Sequence, residues 1–167
     1  MTAPVTERSR TITWADPIAN AQELARLSGL EALRAIITGA APAPPIAVLM
    51  GFALVEAEEG RAVFESEPRE FHYNPIGVVH GGFAATLLDS AMGCAVQTTC
   101  PAGITYTTLE VKANLVRPIT LDAGLVRCEG TVLYKGRRQA TAEGKLVEAA
   151  TGKLLAHGTT TCLVVER

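Results

Sequence analysis

The chain has 167 residues, 48% of them hydrophobic, and a formal net charge of −2 at pH 7. This length and apolar content suit a single domain with one continuous core. Acidic and basic residues are scattered, so no basic stripe predicts a nucleic-acid surface, and no apolar run reaches the roughly 20 residues that cross a bilayer.

The N-terminus and the cysteines indicate the compartment. Residues 1–14 are polar, lack periodicity and contain no apolar segment of the length of a secretory signal, so we expect a loose arm and a cytoplasmic protein. The four cysteines form no CxxC pair and have no histidine at metal-ligand spacing. We therefore expect reduced, mostly buried cysteines and no metal or redox cofactor.

Two short helices should come first along the chain. Asp16 followed by Pro17 is typical of a helix start, and this helix should run to about residue 27. Ser28 and Glu31 form a capping box for a second helix, which Gly39 should end. These two helices are predicted to precede the main domain.

A proline-rich connector follows at residues 41–45, where a helix cannot continue. We therefore predict an arm and helical extension over residues 1–43 and the main domain over residues 44–167. Residues 47–57 and 61–67 are rich in β-compatible side chains and are separated by a turn signal, which predicts two strands.

The next segment, residues 82–99, is dominated by Ala, Leu, Met and Cys and is apolar nearly all round, which predicts a buried helix of about five turns. Residues 106–116 then alternate, with Leu109 and Val111 on the apolar face, as in a half-buried strand. Three further strands are predicted at residues 124–134, 138–149 and 154–165. The simplest architecture is α+β, an antiparallel sheet of five to six strands with one central hydrophobic helix against it.

The segment with the clearest chemical signal is Asn74-Pro75-Ile76-Gly77-Val78-Val79-His80-Gly81-Gly82. Gly81 and Gly82 stand at the predicted helix start, where backbone N–H groups lack intrahelical partners and a ligand can approach closely. Such N–H groups can polarise a carbonyl and stabilise the oxyanion that forms when the carbonyl is attacked.

Asp89 is the single charged residue between Phe83 and Thr99. A carboxylate within an apolar helix can activate water or attack a carbonyl directly, because burial strengthens it as a base. The alternative is a structural aspartate that bonds a neighbouring strand. At about 1.5 Å rise per residue, Gly81 and Asp89 lie roughly 12 Å apart, so a site that uses both requires two subunits.

Other side chains have weaker signals. His80 and Asn74 can donate hydrogen bonds, although a helix cap and a turn former are credible alternatives for them. Thr107 and Thr108 can present a hydroxyl to an attacking water, although most strand threonines are not catalytic. A basic hairpin can bind CoA phosphates, although solvated turn charges are more common; it comprises Lys135, Gly136, Arg137 and Arg138.

The chain resembles hot-dog-fold acyl-CoA thioesterases of the phenylacetate-degradation (PaaI-like) type, from about Pro44 to Val165. The most specific part is N-P-x-G-x-x-H-G-G with an aspartate nine residues after the histidine. The resemblance implies a sheet wrapped around the helix, homodimers and often homotetramers, and active sites at the dimer interface.

The resemblance also implies residue roles. Asp89 is the nucleophile or general base, Gly81 supplies the oxyanion N–H, and Asn74 and His80 support that arrangement. A Ser or Thr early in the next strand orients the water; strand register favours Thr108, and simple counting leaves Thr107 open.

The leading hypothesis is therefore hydrolysis of an acyl-CoA to free acid and CoA, without metal or redox cofactor. A non-catalytic acyl-CoA-binding protein is the alternative, and a hot-dog dehydratase or hydratase is a third. The acyl pocket is expected to contain aliphatic side chains with a few aromatics such as Phe71, Tyr73 and Phe83.

Overall fold

A computed structural model describes residues 6–166. Its helices are α1 (Pro17–Leu24), α2 (Gly29–Ile37), α3 (Pro45–Met50) and α4 (Gly81–Thr98). Its strands are β1 (Phe52–Glu58), β2 (Arg61–Ser66), β3 (Ile104–Leu115), β4 (Val126–Lys135), β5 (Gln139–Glu148) and β6 (Leu154–Glu166). No helix in this part of the chain is long and apolar enough to cross a membrane.

The six strands form one antiparallel sheet in the order β1-β2-β4-β5-β6-β3, and α4 contacts all of them. The predicted hot-dog architecture is confirmed. In this order β3 is an edge strand, since it pairs with β6 on one side only within the described chain. A long edge strand offers unpaired backbone groups to a further strand.

Small residues let the central helix lie directly on the sheet. A Cβ at Gly130 of β4 would come within 2.3 Å of the Ala91 backbone, and one at Gly144 of β5 would lie 2.9 Å from Met92. Leu88, Ala91 and Met92 are consequently fully buried. Three of the four cysteines are buried, as expected, and none of the four forms a disulfide within the described chain.

Burial of the central helix is not complete. One stripe of α4 is only partly buried, so the expectation of a helix buried all round is wrong on that side. The stripe comprises Gly82, Ala85, Thr86, Asp89, Ser90, Cys94 and Gln97. It is the polar and small-residue face of α4, and it includes the predicted catalytic carboxylate.

Both N-terminal helices form where their capping signals predict. The Asp16 side chain accepts from the N–H groups of the first turn of α1, which ends at Leu24, one turn before the expected end. Ser28 and Glu31 form the predicted capping box of α2. Helix α2 docks on the end of α4, because the Gly29 N–H donates to Cys100 O at 2.8 Å.

The first predicted strand begins too early, since residues 45–50 form helix α3. Pro45 at the first helical position has a backbone angle already suited to a helix, and Gly51 ends the helix with a left-handed φ of 70°. The strand proper begins at Phe52. The β-compatible composition of this segment misled the prediction, because local capping decided its structure.

The alternation predicted for β3 is interrupted by a β-bulge. The register with β6 shifts between Thr108 and Glu110, and Leu109 between them is 62% exposed. The prediction that Leu109 faces the core with Val111 is therefore wrong. A bulge inserts one residue and reverses the facing of the residues before it, so that Thr108 lies on the helix side of the sheet.

The described part of the arm, residues 6–14, has no helix or strand but is not loose. The Arg10 guanidinium donates to the carbonyls of Val48 and Leu49 and lies 4.1 Å from the ring centroid of Phe71. Residues 1–5 of the predicted arm lie outside the described chain.

Candidate active site

Asp89 and Thr108 meet between α4 and β3. The Thr108 hydroxyl donates a hydrogen bond to Oδ1 of Asp89 at 3.0 Å. Within residues 6–166, Oδ2 of Asp89 accepts no hydrogen bond. The carboxylate therefore keeps one oxygen for water or substrate while Thr108 fixes the other, as a base or nucleophile requires.

The start of α4 is organised by His80. Its Nδ1 accepts from the Gly82 N–H at 2.8 Å, so in the neutral ring the proton is on the exposed Nε2. The Gly82 N–H is thereby occupied and is not available to a ligand. The absence of a side chain at Gly82 is what remains of its expected role. The Gly81 N–H makes no hydrogen bond to any described residue, and it is the donor available to an oxyanion.

Asn74 is held in the loop before α4. Its Oδ1 accepts from the N–H groups of Ile76 and Val78, at 3.0 and 3.4 Å, and its side-chain Nδ2 donates to no described residue. Asn74, His80 and Gly81 line one cleft of about 260 Å³. The cleft therefore gathers three donors: the Asn74 amide, the His80 Nε2 and the Gly81 N–H.

A second cleft, of about 470 Å³, lies at the opposite end of α4. Thr108 and Thr107 line it, together with Cys94 and Tyr106. Thr107 is exposed and has no hydrogen bond to Asp89, whereas Thr108 has one. The sequence left open which threonine contacts Asp89, and in the structure it is Thr108.

Two nucleophile candidates in this cleft are inert. Burial, assisted by the charge of Asp89, raises the pKa of Cys94 to about 12. Burial likewise raises the pKa of Tyr106 well above its ordinary value. Both groups stay protonated at neutral pH and are therefore poor nucleophiles.

Sequence reasoning did not identify Cys94 or Tyr106 as parts of the site. The Tyr106 ring lies over Gly93, where a Cβ would come within 2.2 Å of the phenol oxygen. A glycine within an apolar helix, opposite a tyrosine of the next strand, was the available signal.

The cleft lined by Asn74, His80 and Gly81, here called the donor cleft, is separated from the Asp89 carboxylate within one chain. Gly81 begins α4 and Asp89 follows eight residues later on the same continuous helix, so they lie roughly 12 Å apart. One ligand atom cannot contact both within a single copy of the chain. A site that uses both residues would therefore need two copies.

The basic hairpin joins β4 to β5. Lys135, Arg137 and Arg138 line a surface cleft of about 450 Å³, and Gly136 closes the turn with its N–H on Gln139 O. Ile104 lines both this cleft and the one beside Thr108. The hairpin therefore provides positive charge at the end of β3 that is nearest to Asp89.

The other histidines and the expected aromatic residues are placed elsewhere. His72 is buried, its Nδ1 accepts from the Arg69 N–H at 3.0 Å, and its Nε2 lies 2.8 Å from Met50 O. Burial lowers the pKa of His72 below its ordinary value, so the ring is neutral and structural. His157 lies exposed on β6.

Phe83 packs against the His72 ring at 4.5 Å in the core, and Phe71 lies under Arg10. The Tyr73 hydroxyl accepts from the Leu121 N–H. None of these three aromatics lines either cleft. Their expected place in the acyl pocket therefore stays a prediction, and within the described chain they contact the core, the arm and the turn between β3 and β4.

Comparisons with known proteins match the same part of the chain. A family model described as the thioesterase superfamily matches residues 76–154. Acyl-coenzyme A thioesterase 13 of Homo sapiens is 33% identical over 111 residues, which cover 66% of this chain and 78% of that protein. The 1,4-dihydroxy-2-naphthoyl-CoA hydrolase of Listeria monocytogenes is 31% identical over 107 residues, which cover 64% of this chain and 84% of that protein.

Solved structures show the same architecture. A mutant of the phenylacetic acid degradation protein PaaI from Thermus thermophilus is 30% identical, with a TM-score of 0.65, and the match covers 72% of this chain and 98% of that chain. The residues matched by the family model include Gly81 and Asp89 and exclude α1 and α2. The strands β1 and β2 also lie outside the matched residues, although they belong to the sheet.

Proposed function

The chain belongs to the thioesterase superfamily, and on that basis we propose that it hydrolyses acyl-CoA or aryl-acyl-CoA thioesters to the free acid and CoA. The observation that carries this function is the Asp89 carboxylate, with one oxygen fixed by Thr108 and the other open. The similarity to the human acyl-coenzyme A thioesterase 13 and to the Listeria hydrolase supports it.

Asp89 acts as nucleophile or general base. As a base, it takes a proton from water while the resulting hydroxide attacks the thioester carbon. The tetrahedral oxyanion then collapses, the carbon–sulfur bond breaks, and the CoA thiolate recovers the proton. As a nucleophile, Asp89 attacks the carbon itself, CoA leaves, and water hydrolyses the mixed anhydride. Thr108 orients the carboxylate in both routes.

The oxyanion is proposed to bind the partner subunit. Asp89 and Gly81 are too far apart within one chain, and β3 presents an edge that no other described strand covers. A two-fold axis that crosses β3 between Thr108 and Leu115 would pair this edge with its copy, as in isologous dimers. The cleft that holds Asn74, His80 and Gly81 in one subunit would then face Asp89 of the other.

The remaining parts of the substrate have candidate partners as well. Lys135, Arg137 and Arg138 are proposed to bind the CoA phosphates, which guanidinium and ammonium groups bind through charge-assisted hydrogen bonds. The proposed enzyme is cytoplasmic, works as a homodimer or homotetramer, and uses no metal or redox cofactor.

The test is thiol release from a panel of aliphatic and aromatic acyl-CoAs by the wild type, Asp89→Asn and Asp89→Ala. Loss of general base or nucleophilic catalysis should lower kcat by about a hundredfold to ten-thousandfold in both variants. Asp122→Asn is the matched control, since Asp122 is exposed in a 3-10 turn away from both clefts.

The outcomes separate the candidate functions. Acyl-CoA binding by the wild type without thiol release would replace the enzyme by an acyl-CoA-binding protein. Turnover that survives in both Asp89 variants would assign the chemistry to another group. Hydration of an enoyl-CoA in place of thiol release would indicate a hydratase.

A further inference from the structure

The cleft beside Thr108 has an outer wall built by residues that precede the main domain. Its floor comes from α4 and the start of β3, and its outer wall comes from the N-terminal helices and the turn between them. That wall consists of hydrocarbon side chains: Leu24, Ala25, Leu27, Ala32, Leu33 and Ile36. Both helices lie within the predicted extension and outside the residues that the family model matches.

The wall is fixed in place by a close helix contact. A Cβ at Gly29 would lie 1.8 Å from the Gln97 carbonyl oxygen, so only glycine lets α2 approach the end of α4 this closely. The Gly29 N–H also donates to Cys100 O at 2.8 Å. Ala32 and Leu33, one turn further along α2, are buried. The N-terminal helices are therefore held against α4 by specific contacts, and they form a fixed wall of the cleft.

Two threonine hydroxyls of the cleft donate to neighbouring side chains. The Thr105 hydroxyl donates to the Gln97 side-chain oxygen at 3.0 Å, and Thr108 donates to Asp89. The Cys94 thiol stays protonated because burial raises its pKa to about 12. The hydrocarbon wall offers no hydrogen-bond partner to a pantetheine amide, so this side of the cleft fits an apolar ligand.

We propose that this cleft binds the acyl group of the substrate and that the N-terminal helices set the acyl length the enzyme accepts, an inference that rests on the proposed function. Thr108 connects the cleft to Asp89, since it lines the cleft and donates a hydrogen bond to the Asp89 carboxylate. A thioester carbon at Asp89 therefore places the acyl chain at the mouth of the cleft. The substrate class is a CoA ester with an extended apolar acyl group.

The test measures kcat/KM for a series from acetyl-CoA to palmitoyl-CoA. Ala25→Trp fills the cleft from its partly exposed rim, and Ile36→Ala widens it. Gln22→Trp is the control, because Gln22 is an exposed residue of α1, three positions before Ala25, that does not line the cleft. Each buried methylene contributes about fourfold to kcat/KM if its transfer energy is expressed in the transition state.

Ala25→Trp is expected to lower kcat/KM for the longest substrates at least tenfold more than for acetyl-CoA. Ile36→Ala should move the optimum towards longer chains, and Gln22→Trp should match the wild type. Equal loss for every substrate with Ala25→Trp would overturn the inference and assign the cleft to the common pantetheine arm. An unchanged profile in both cleft variants would also overturn it, while absence of wild-type turnover would instead reject the proposed function.

Discussion

The hydroxyl of Thr108 donates to Oδ1 of Asp89 at 3.0 Å, across the gap between β3 and α4. This hydrogen bond joins the edge strand to the central helix at their midpoints. It also leaves one carboxylate oxygen unengaged in the described chain. The first prediction follows from this contact.

Thr108→Val keeps the shape of the side chain and removes the donor. A hydrogen bond to a charged group contributes about 1.5–3 kcal/mol, so kcat should fall by roughly tenfold to a hundredfold with little change in KM. Thr108→Ser should retain most activity. Steady-state thiol release is the measurement, and Thr159→Val on an exposed position of β6 is the control. A larger loss in Thr107→Val than in Thr108→Val would contradict this assignment.

His80 is predicted to have two separable roles. It caps α4 through Nδ1 and presents Nε2 to the donor cleft. His80→Asn should keep the cap and the melting temperature, since Asn is a good N-cap, yet lower kcat/KM. His80→Ala should lose both activity and about 1 kcal/mol of stability. Melting curves and thiol release on the same samples check this; full activity in His80→Asn would confine His80 to capping.

A shared site predicts complementation between two inactive variants. In a mixed dimer of Asp89→Asn and His80→Ala subunits, one of the two sites would combine the intact Asp89 of one chain with the intact His80 of the other. At equal amounts and with free subunit exchange, activity should return to about one quarter of the wild-type value. Co-expression with two affinity tags isolates the mixed species. A purified mixed dimer without activity would show that both residues act within one chain.

The buried thiol of Cys128 predicts a loss of stability at alkaline pH. Burial raises the pKa of Cys128 from 9.0 to about 12. Between these values the unfolded chain has released the proton and the folded chain still holds it. Stability is therefore complete below pH 9 and falls as the pH rises to 12, by at most about 1.4 kcal/mol per pH unit for this thiol.

Urea unfolding at several pH values between 8 and 11 measures this slope. Cys128→Ala should have a shallower slope than the wild type, because one titrating group is removed. The variant also loses some stability at pH 8 through the small cavity, so the slopes are compared and not the midpoints. Identical slopes in the two proteins would contradict the assignment.

Much of the fold could be predicted because its signals are local. The caps at Asp16 and Ser28 set the starts of the first two helices, and the apolar run after Gly81 predicted the central helix within one residue. The alternating strands and their short turns predicted an antiparallel sheet. Residues 45–50 were missed because a proline start and a glycine end outweighed β-compatible side chains.

The sequence alone determined the chemical inventory of the site. Asp89 within an apolar helix and the donors from Asn74 to Gly81 are visible in the chain, and helix rise alone shows that Gly81 and Asp89 cannot meet in one copy. These conclusions depend on residue type and on spacing along one element, which sequence specifies directly.

The tertiary structure decided which threonine contacts Asp89 and what encloses the second cleft. Strict alternation places Thr108 on the face opposite Leu109 and Val111, yet the bulge at Leu109 turns Thr108 towards α4. Helix α2 reaches the cleft through a backbone approach at Gly29 to a residue far along the chain. A bulge and a long-range helix contact depend on packing between elements, and no local pattern in the sequence encodes them.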